Sequence, residues 1–457
     1  MRQASYPRHS AAVLLGLAVT GALYAQEILA PPQPAPSGTF ELRSVSAYFD
    51  YYSSTLPNGG GLQASAKLLS DVAGGGSAEI GWAKVTERSN SSFSYTSSLT
   101  GRVRYSQLNA WNHALSFTTN HKIVPRWTLG FSARGDLSSV EQSLFAPTAL
   151  GNVAAVPATF DDLATALLAS KFANPQLGSV LTSAPLLESP LRYLLYGQRM
   201  FTSGVQTSLS YSYSPRLSIS FQAGASRSQH VSDDQANISQ NLVVIPNTTS
   251  GSAGVTVSYS LSPRSQIGGT VTTTRISSAQ QDAYTTTSLA NVGWTLARRW
   301  VLQLHGGVGV TNPLRQTAFQ VSPHPLPAGG GSLTFKSFEH IFIGSFDHTV
   351  SDAYGLGATS TSSAAFTWRW SRPGRPWWIE SSFGWQQLVQ ANGLGDISGW
   401  RTNAGFGRTI GAQLALLTQY GYLNYSGRQQ NILSGVDQSV VRVSLMWSPH
   451  PEYLRRN

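Results

Sequence analysis

The sequence predicts an all-β protein: a transmembrane antiparallel up-and-down β-barrel of about 18 strands, with 16 strands as the main alternative. Three observations lead to this fold class. Apolar and polar residues alternate over stretches of about ten residues. Short and long connections follow one another between these stretches. Only 11% of the residues are charged, against about 25% in typical soluble domains.

The alternation is clearest in four segments, which begin at residues 127, 205, 217 and 255. In the second of them, Leu209, Tyr211 and Tyr213 alternate with serines. A period of two places every second side chain on one face of a strand. About ten tilted residues also match the thickness of the hydrocarbon layer. The polar face consists of Ser, Thr, Gln and Gly, which suits a wetted lumen.

The connections divide into two classes, as expected for a barrel with short turns at one rim and long loops at the other. The short turns are predicted at residues 121–126, 215–216, 263–264, 298–299, 337–340, 372–376 and 408–411. The long loops are predicted at residues 138–200, 229–250, 277–284, 311–331, 351–357, 390–399 and 427–436.

Strand parity completes the count. Seven short turns imply fourteen strands, a final strand covers residues 437–447, and three candidates precede residue 109. These candidates are residues 62–71, 78–86 and 91–99. Residues 40–52 form either a further strand or an internal segment.

The N-terminus has the features of a secretory signal peptide. Arg2 and Arg8 precede an apolar stretch over residues 11–25, which is too short to span a bilayer comfortably. A Pro-rich segment with no means of building a core follows. The predicted organisation is a signal peptide at 1–25, a Pro-rich periplasmic segment at 26–39, the barrel at 40–447 and a C-terminal tail at 448–457.

Composition excludes several other classes of protein. The chain has no cysteine, which excludes disulfides, thiolate metal sites and a lipoprotein anchor. The net charge is +10, but the arginines are scattered singly and no nucleic-acid-binding motif accompanies them, so no nucleic-acid partner is expected. No apolar run after the N-terminus approaches the roughly 20 residues that a membrane-spanning helix needs.

Aromatic and basic residues cluster beside the short turns. Tryptophan and tyrosine favour the membrane–water boundary, and this placement predicts an aromatic girdle there. The candidate girdle residues are Trp127, Tyr213, Trp300, Trp370, Trp377, Trp378 and Trp447. The turn arginines either pair with phospholipid phosphates or are simply solvated. They are Arg126, Arg216, Arg264, Arg298, Arg299, Arg372, Arg375 and Arg408.

Strand parity also places charged residues on the polar faces. The candidate lumen charges are Arg134, Asp136, Arg369, Glu380 and Arg442. In an open lumen such charges form an electrostatic filter, and the basic excess then favours anions or polar neutral solutes. Ion pairs that stabilise the wall are the alternative. The long loop 138–200, with two candidate short helices, is expected to act as a constriction or a lid.

Signs of catalysis are weak. No Walker A, HExxH, GxSxG or calcium-loop motif is present. Ser345, Asp347 and His348 lie close together in sequence, but adjacent residues of a strand point to opposite faces. Asp233 and Asp234 either bind a divalent cation or lie in a solvated turn. We therefore expect no enzyme activity, no cofactor and no bound metal.

The signal peptide, the alternating strands, the loop pattern and the last strand together resemble Gram-negative outer-membrane β-barrels, broadly porin-like ones. The last strand presents Val441, Val443, Leu445 and Trp447 at alternate positions, similar to a C-terminal assembly signal that ends in an aromatic residue. Ten residues follow Trp447, whereas the familiar signal is terminal, so the resemblance indicates a divergent family. It implies a location in the cell outer membrane.

This resemblance favours a porin-like channel for the passive passage of small polar or anionic solutes. The expected partners are outer-membrane lipids and lipopolysaccharide, the barrel-assembly machinery and small solutes; the oligomeric state stays open. One alternative is an export or assembly barrel, for polysaccharide for example, that works with periplasmic partners. An outer-membrane hydrolase and a secreted soluble β-protein are the others.

Overall fold

A computed structural model shows one closed sheet of 18 antiparallel strands, which confirms the predicted fold class and strand number. It describes residues 38–55, 69–104, 106, 109–139, 199–231, 247–278, 282–297, 299–315, 325–352, 358–372, 374–390, 397–427 and 436–449. Within these ranges, no helix is long and apolar enough to cross a membrane. Four predicted features lie outside them: the signal peptide, nearly all of the Pro-rich segment, the helices of the long loop, and Asp233 and Asp234.

The strands follow one another around the sheet in chain order. They are β1 Phe40–Thr55, β2 Leu69–Val85, β3 Ser89–Arg102, β4 Ala110–Val124, β5 Trp127–Ser139, β6 Arg199–Ser212, β7 Leu217–His230, β8 Thr248–Ser262, β9 Ser265–Ser277, β10 Asp282–Ala297, β11 Trp300–Pro313, β12 Pro325–Lys336, β13 His340–Asp352, β14 Ala358–Ser371, β15 Trp377–Gln390, β16 Ile397–Thr409, β17 Leu414–Gly427 and β18 Val436–Trp447.

Pairing of the first strand with the last closes the barrel. The β1–β18 register runs from Val45 opposite Trp447 to Tyr52 opposite Val440. Closure leaves no row of unpaired backbone N–H and C=O groups at an edge, which a sheet surrounded by hydrocarbon requires. Eight short turns, from residues 86–88 to residues 410–413, form one rim, and both ends of the barrel sheet lie at that rim.

The first two strands differ from their predicted positions. The segment 40–52, which the sequence left unplaced, belongs to β1. Of the predicted strand 62–71, residues 69–71 begin β2, which continues through the next predicted strand; residues 62–68 lie outside the described residues. Three glycines at residues 74–76 look like a loop in the sequence, yet they lie inside β2. A Cβ on Gly75 would meet the phenol group of Tyr48, so the glycine makes room for that ring.

The wall of the barrel has two different faces. On β8, Val257 is 41% exposed whereas its neighbour Thr256 is only 3% exposed. The same alternation runs through the other strands: large apolar side chains are exposed on one face, while hydroxyl, amide and charged side chains are buried on the other. Because apolar side chains belong in contact with hydrocarbon, the first face is the outside and the second lines the interior.

Aromatic rings of the outer face gather at the short-turn rim. The ring of Trp127 lies 4.6 Å from Tyr211, and that of Trp370 lies 4.2 Å from Trp377. Trp378 departs from the expected girdle, because residues next to each other in a strand alternate between faces. Its ring lies on the inner face, where a Cβ on Gly407 would meet it.

The other expected girdle positions lie on the outer side, and a second aromatic belt lies towards the long-loop rim. Tyr213 is 61% exposed, Trp300 40% and Trp447 38%. In the second belt, the ring of Trp400 lies 5.0 Å from Tyr422, and Trp111 is 57% exposed. Sequence reasoning missed this belt because its members lie within strands rather than beside recognisable turns.

Candidate functional site

The candidate site is the interior wall of the barrel, and two parts of that wall differ in chemistry. On strands β6–β10, the described inner positions carry no Asp, Glu, Lys or Arg. Their side chains are mainly hydroxyls and amides that bond to one another across the strands. The bonds include Ser210–Ser220 at 3.1 Å, Ser218–Ser258 at 2.6 Å, Ser226–Ser250 at 2.6 Å, Thr256–Thr270 at 3.2 Å and Asn291–Thr270 at 3.1 Å.

Charged side chains lie on the rest of the wall, and five of them belong to a single row of paired inner positions. Register pairing connects inner positions across β14–β18 and β1–β3, one residue from each strand. We call these the charged row: Arg369, Glu380, Gly405, Gln419, Arg442, Asp50, Ala73 and Arg102.

The row crosses the barrel diagonally from one rim to the other. Arg369 lies two residues before the end of β14 at a short turn, and Arg102 ends β3 at the long-loop rim. Backbone hydrogen bonds run perpendicular to strands, and strands of such barrels tilt by about 35–45° from the axis. A row that follows the hydrogen bonds therefore rises as it passes around the interior.

The strongest contact of the row lies at the closure of the barrel. Arg442 of β18 donates two hydrogen bonds to the Asp50 carboxylate of β1, from Nε at 2.6 Å and from Nη2 at 2.7 Å. Asp50 is completely buried, and the Tyr52 hydroxyl donates to it at 3.2 Å. The Arg442 guanidinium also lies 4.6 Å from the centre of the Tyr48 ring. Such a bidentate pair joins the first and last strands from the inside.

The contacts continue along the row in both directions. The Arg102 guanidinium lies 3.9 Å from the centre of the Tyr52 ring and donates to Asp71 at 3.1 Å. On the other side, Gln419 donates to Glu380 at 3.2 Å. Gly405 lies between these two residues in the register, and a Cβ there would meet the Glu380 Cγ at 2.9 Å.

All five predicted lumen charges lie at inner positions. Arg134 and Asp136 belong to β5, and Arg369 and Glu380 are each only 5% exposed. Their action as an electrostatic filter stays a prediction. The contact of Arg442 with Asp50 has instead the geometry of an ion pair that stabilises the wall, which was the alternative role for these charges.

Sequence reasoning missed several charged residues that form ion pairs on the inner face. Asp50 lay in the unplaced segment, Asp71 lay at the predicted end of a strand but belongs to the start of β2, and Arg102 lay beyond the predicted end of its strand. The charge of Arg43 was missed as well; its guanidinium lies 2.9 Å from Glu79. A run of alternating residues that included Tyr48, Asp50 and Tyr52 was the only available signal for the first strand.

Asp347 and His348, which are adjacent in sequence, point to opposite faces of the wall and form no catalytic pair. Asp347 points inward and lies 3.1 Å from Nε2 of His305, whereas His348 points outward and contacts Ser362 at 2.8 Å through Nδ1. Ser345 shares the inner face with Asp347 but has no histidine opposite it in the register. Among the described residues, no group of three His, Cys, Asp or Glu side chains could hold a metal ion.

A closed barrel with an apolar outer belt and a polar interior defines the class of outer-membrane β-barrels, here with porin-like architecture. Solved structures of similar shape include OpdL, OccAB4 and a BenF-like porin. OpdL of Pseudomonas aeruginosa has 11% identity and a TM-score of 0.42, covering 89% of this chain and 98% of its own. OccAB4 of Acinetobacter baumannii has 10% identity and a TM-score of 0.42, covering 91% and 99%.

The third is a BenF-like porin from Pseudomonas fluorescens Pf-5. It has 8% identity and a TM-score of 0.44, and the alignment covers 91% of this chain and all of the porin, 100%. No family model matches the sequence, and no curated protein matches it.

Proposed function

We propose that the protein is a porin-like channel through which small polar or anionic solutes cross the outer membrane by passive diffusion. The observation that carries this proposal is the two-faced wall, with a polar interior and an apolar exterior on all sides of the closed sheet. Barrels of 16–18 strands leave room for an aqueous path, unlike barrels of about eight strands, whose interior is filled by side chains.

The interior wall offers a solute two kinds of contact. Hydroxyls and amides of β6–β10 exchange hydrogen bonds with neutral polar groups. The arginines and carboxylates of the charged row lie on β14–β18 and β1–β3, on the opposite side of the barrel from β8. A field across the lumen orients a dipolar solute, and the excess of arginines over carboxylates in the row favours an anionic one.

We also infer that the protein is not an enzyme. Support comes from the separation of Asp347 and His348 onto opposite faces, which prevents the two side chains from acting together on one substrate. A channel, in contrast, needs only the continuous polar lining that the inner positions supply.

Single-channel recording in planar bilayers tests the proposal. We expect the full mature protein to give steady conductance steps without any partner protein. A protein that inserts and shows heat-modifiable gel mobility but conducts no ions would contradict the proposal. Steady conductance would also argue against an export barrel that opens only with its partners.

Charges introduced on the inner face of β6–β10 are expected to change ion selectivity. Gln222 lies at an inner position in the middle of β7. We expect Gln222→Lys to move the reversal potential in a salt gradient towards anion preference and Gln222→Glu to move it towards cation preference. Gln222→Asn is the matched control and should leave the reversal potential unchanged. Equal reversal potentials in all three variants would show that this wall does not border the ion path.

A further inference from the structure

Five successive short turns of the barrel each carry an exposed arginine among the residues that the structure describes. Arg88 lies between β2 and β3, and the next four short turns repeat the feature. We call the set the arginine arc: Arg88, Arg126, Arg216, Arg264 and Arg299. Of the three remaining short turns, residues 337–339 and 410–413 contain no arginine. In the turn 372–376, Arg372 lies 3.3 Å from Glu339, whereas Arg375 is exposed.

The turns hold these arginines in a repeated geometry. The carbonyl oxygens of four of them accept a hydrogen bond from a backbone N–H of the following hairpin. The donors to Arg88, Arg126, Arg216 and Arg264 are Lys122 at 2.7 Å, Ser212 at 2.9 Å, Ser260 at 2.8 Å and Thr295 at 2.8 Å. The backbone of each turn is therefore fixed against its neighbour, and the arginines follow the circumference at intervals of about 10 Å, twice the strand spacing.

Aromatic residues show the depth of the arc relative to the membrane. Trp127 directly follows Arg126, and Trp300 directly follows Arg299. Both rings lie on the outer face, against Tyr211 and Phe335 respectively. Tryptophan and tyrosine rings favour the boundary between hydrocarbon and headgroups. Each of these arginines lies one position before its tryptophan, on the turn side of the ring, and is thus at the depth of the headgroups.

The described residues do not neutralise the arc. Within the part of the chain that the structure describes, no carboxylate is in salt-bridge contact with a guanidinium of the arc. In the same rim, Arg372 has such a contact with Glu339. The guanidiniums of the arc therefore remain available to an external anion.

We propose that the arginine arc binds the phosphate groups of anionic phospholipids in the leaflet at the short-turn rim. An arginine fork matches two phosphate oxygens at once. The arc follows the circumference of the barrel at one depth, as the surrounding shell of lipids does. An acidic protein partner would instead be met by a compact patch on one side. This inference is independent of any solute path through the lumen.

Quenching of tryptophan fluorescence by brominated lipids tests the proposal. The full mature protein is reconstituted into phosphatidylcholine vesicles that contain increasing amounts of phosphatidylglycerol, and either lipid is brominated in turn. The ratio of the two quenching curves gives the association constant of the anionic lipid relative to the neutral one. We expect a preference for phosphatidylglycerol that disappears in concentrated salt.

Matched variants localise that preference. The triple variant Arg126→Gln, Arg216→Gln, Arg264→Gln is expected to lower the relative association constant at least about fivefold, the factor that a single basic residue near an anionic surface supplies. The same three positions changed to Lys should keep most of it. The control removes three exposed arginines at or near the long-loop rim: Arg104→Gln, Arg227→Gln and Arg315→Gln.

Three results would overturn the proposal. Equal quenching of the unmodified protein by the two lipids would remove the lipid as partner. An equal fall of the relative association constant in the arc Gln variant and in the long-loop-rim control would show a response to net charge alone. A preference that survives in the arc variant would place the lipid contact elsewhere.

Discussion

Replacing Asp50 with Asn is expected to lower the free energy of unfolding of the barrel by about 3–5 kcal/mol. Asp50 is completely buried and accepts both hydrogen bonds of the Arg442 fork. The asparagine side chain has nearly the same shape but no charge. The Arg442 guanidinium would then lie inside the wall without its counter-charge, and that desolvated cation is the source of the loss.

Equilibrium unfolding in urea, in the presence of phospholipid vesicles, measures this loss, and heat-modifiable gel mobility gives an independent check. The matched control is Asp282→Asn, which breaks the Arg275–Asp282 pair at the long-loop rim, 2.9 Å long and with the arginine side chain 50% exposed. Exposed pairs contribute about 0–1 kcal/mol. We expect the control to remain close to the unmodified protein.

A double variant separates the charge from the packing. Asp50→Asn combined with Arg442→Gln removes both charges of the pair, so it should recover part of the stability lost by Asp50→Asn alone. If the single and double variants unfold at the same urea concentration as the unmodified protein, the pair does not hold the closure of β1 against β18.

Replacing Val255 with Lys is expected to destabilise the barrel by about 2–4 kcal/mol. Val255 lies in the middle of β8, is 38% exposed and points outward. At this position an ammonium group would enter the hydrocarbon close to its midplane, where no water solvates it. Urea unfolding in vesicles again measures the change.

The control for this substitution lies three residues earlier in the same strand. Ser252 is on the inner face, opposite Gly224, and a lysine there can extend into the lumen. We expect Ser252→Lys to change stability by no more than about 1 kcal/mol and to alter ion selectivity instead. Destabilisation of the inner variant with no effect of the outer one would reverse the assignment of the two faces.

Several parts of this molecule could be predicted from residue order alone. The alternation in segments such as 205–214 depends only on the two-residue period of a strand, and the turn arginines and prolines mark where hairpins reverse. The inner positions of Arg134, Asp136, Arg369, Glu380 and Arg442 followed from counting residues along their own strands. Counting failed at residues 74–76, where glycine has no side chain to reveal the period.

The contacts between those residues could not be predicted in the same way. The fold class, a strand number of about 18 or 16 and the two faces of the wall follow from residue order, because they depend on local periodicity and on turn chemistry. The contact of Asp50 with Arg442, and the alignment of eight inner positions in one row, emerge only when the sheet closes. Residues 50 and 442 are brought together by closure of the barrel, and the row depends on the register of eight neighbouring strands.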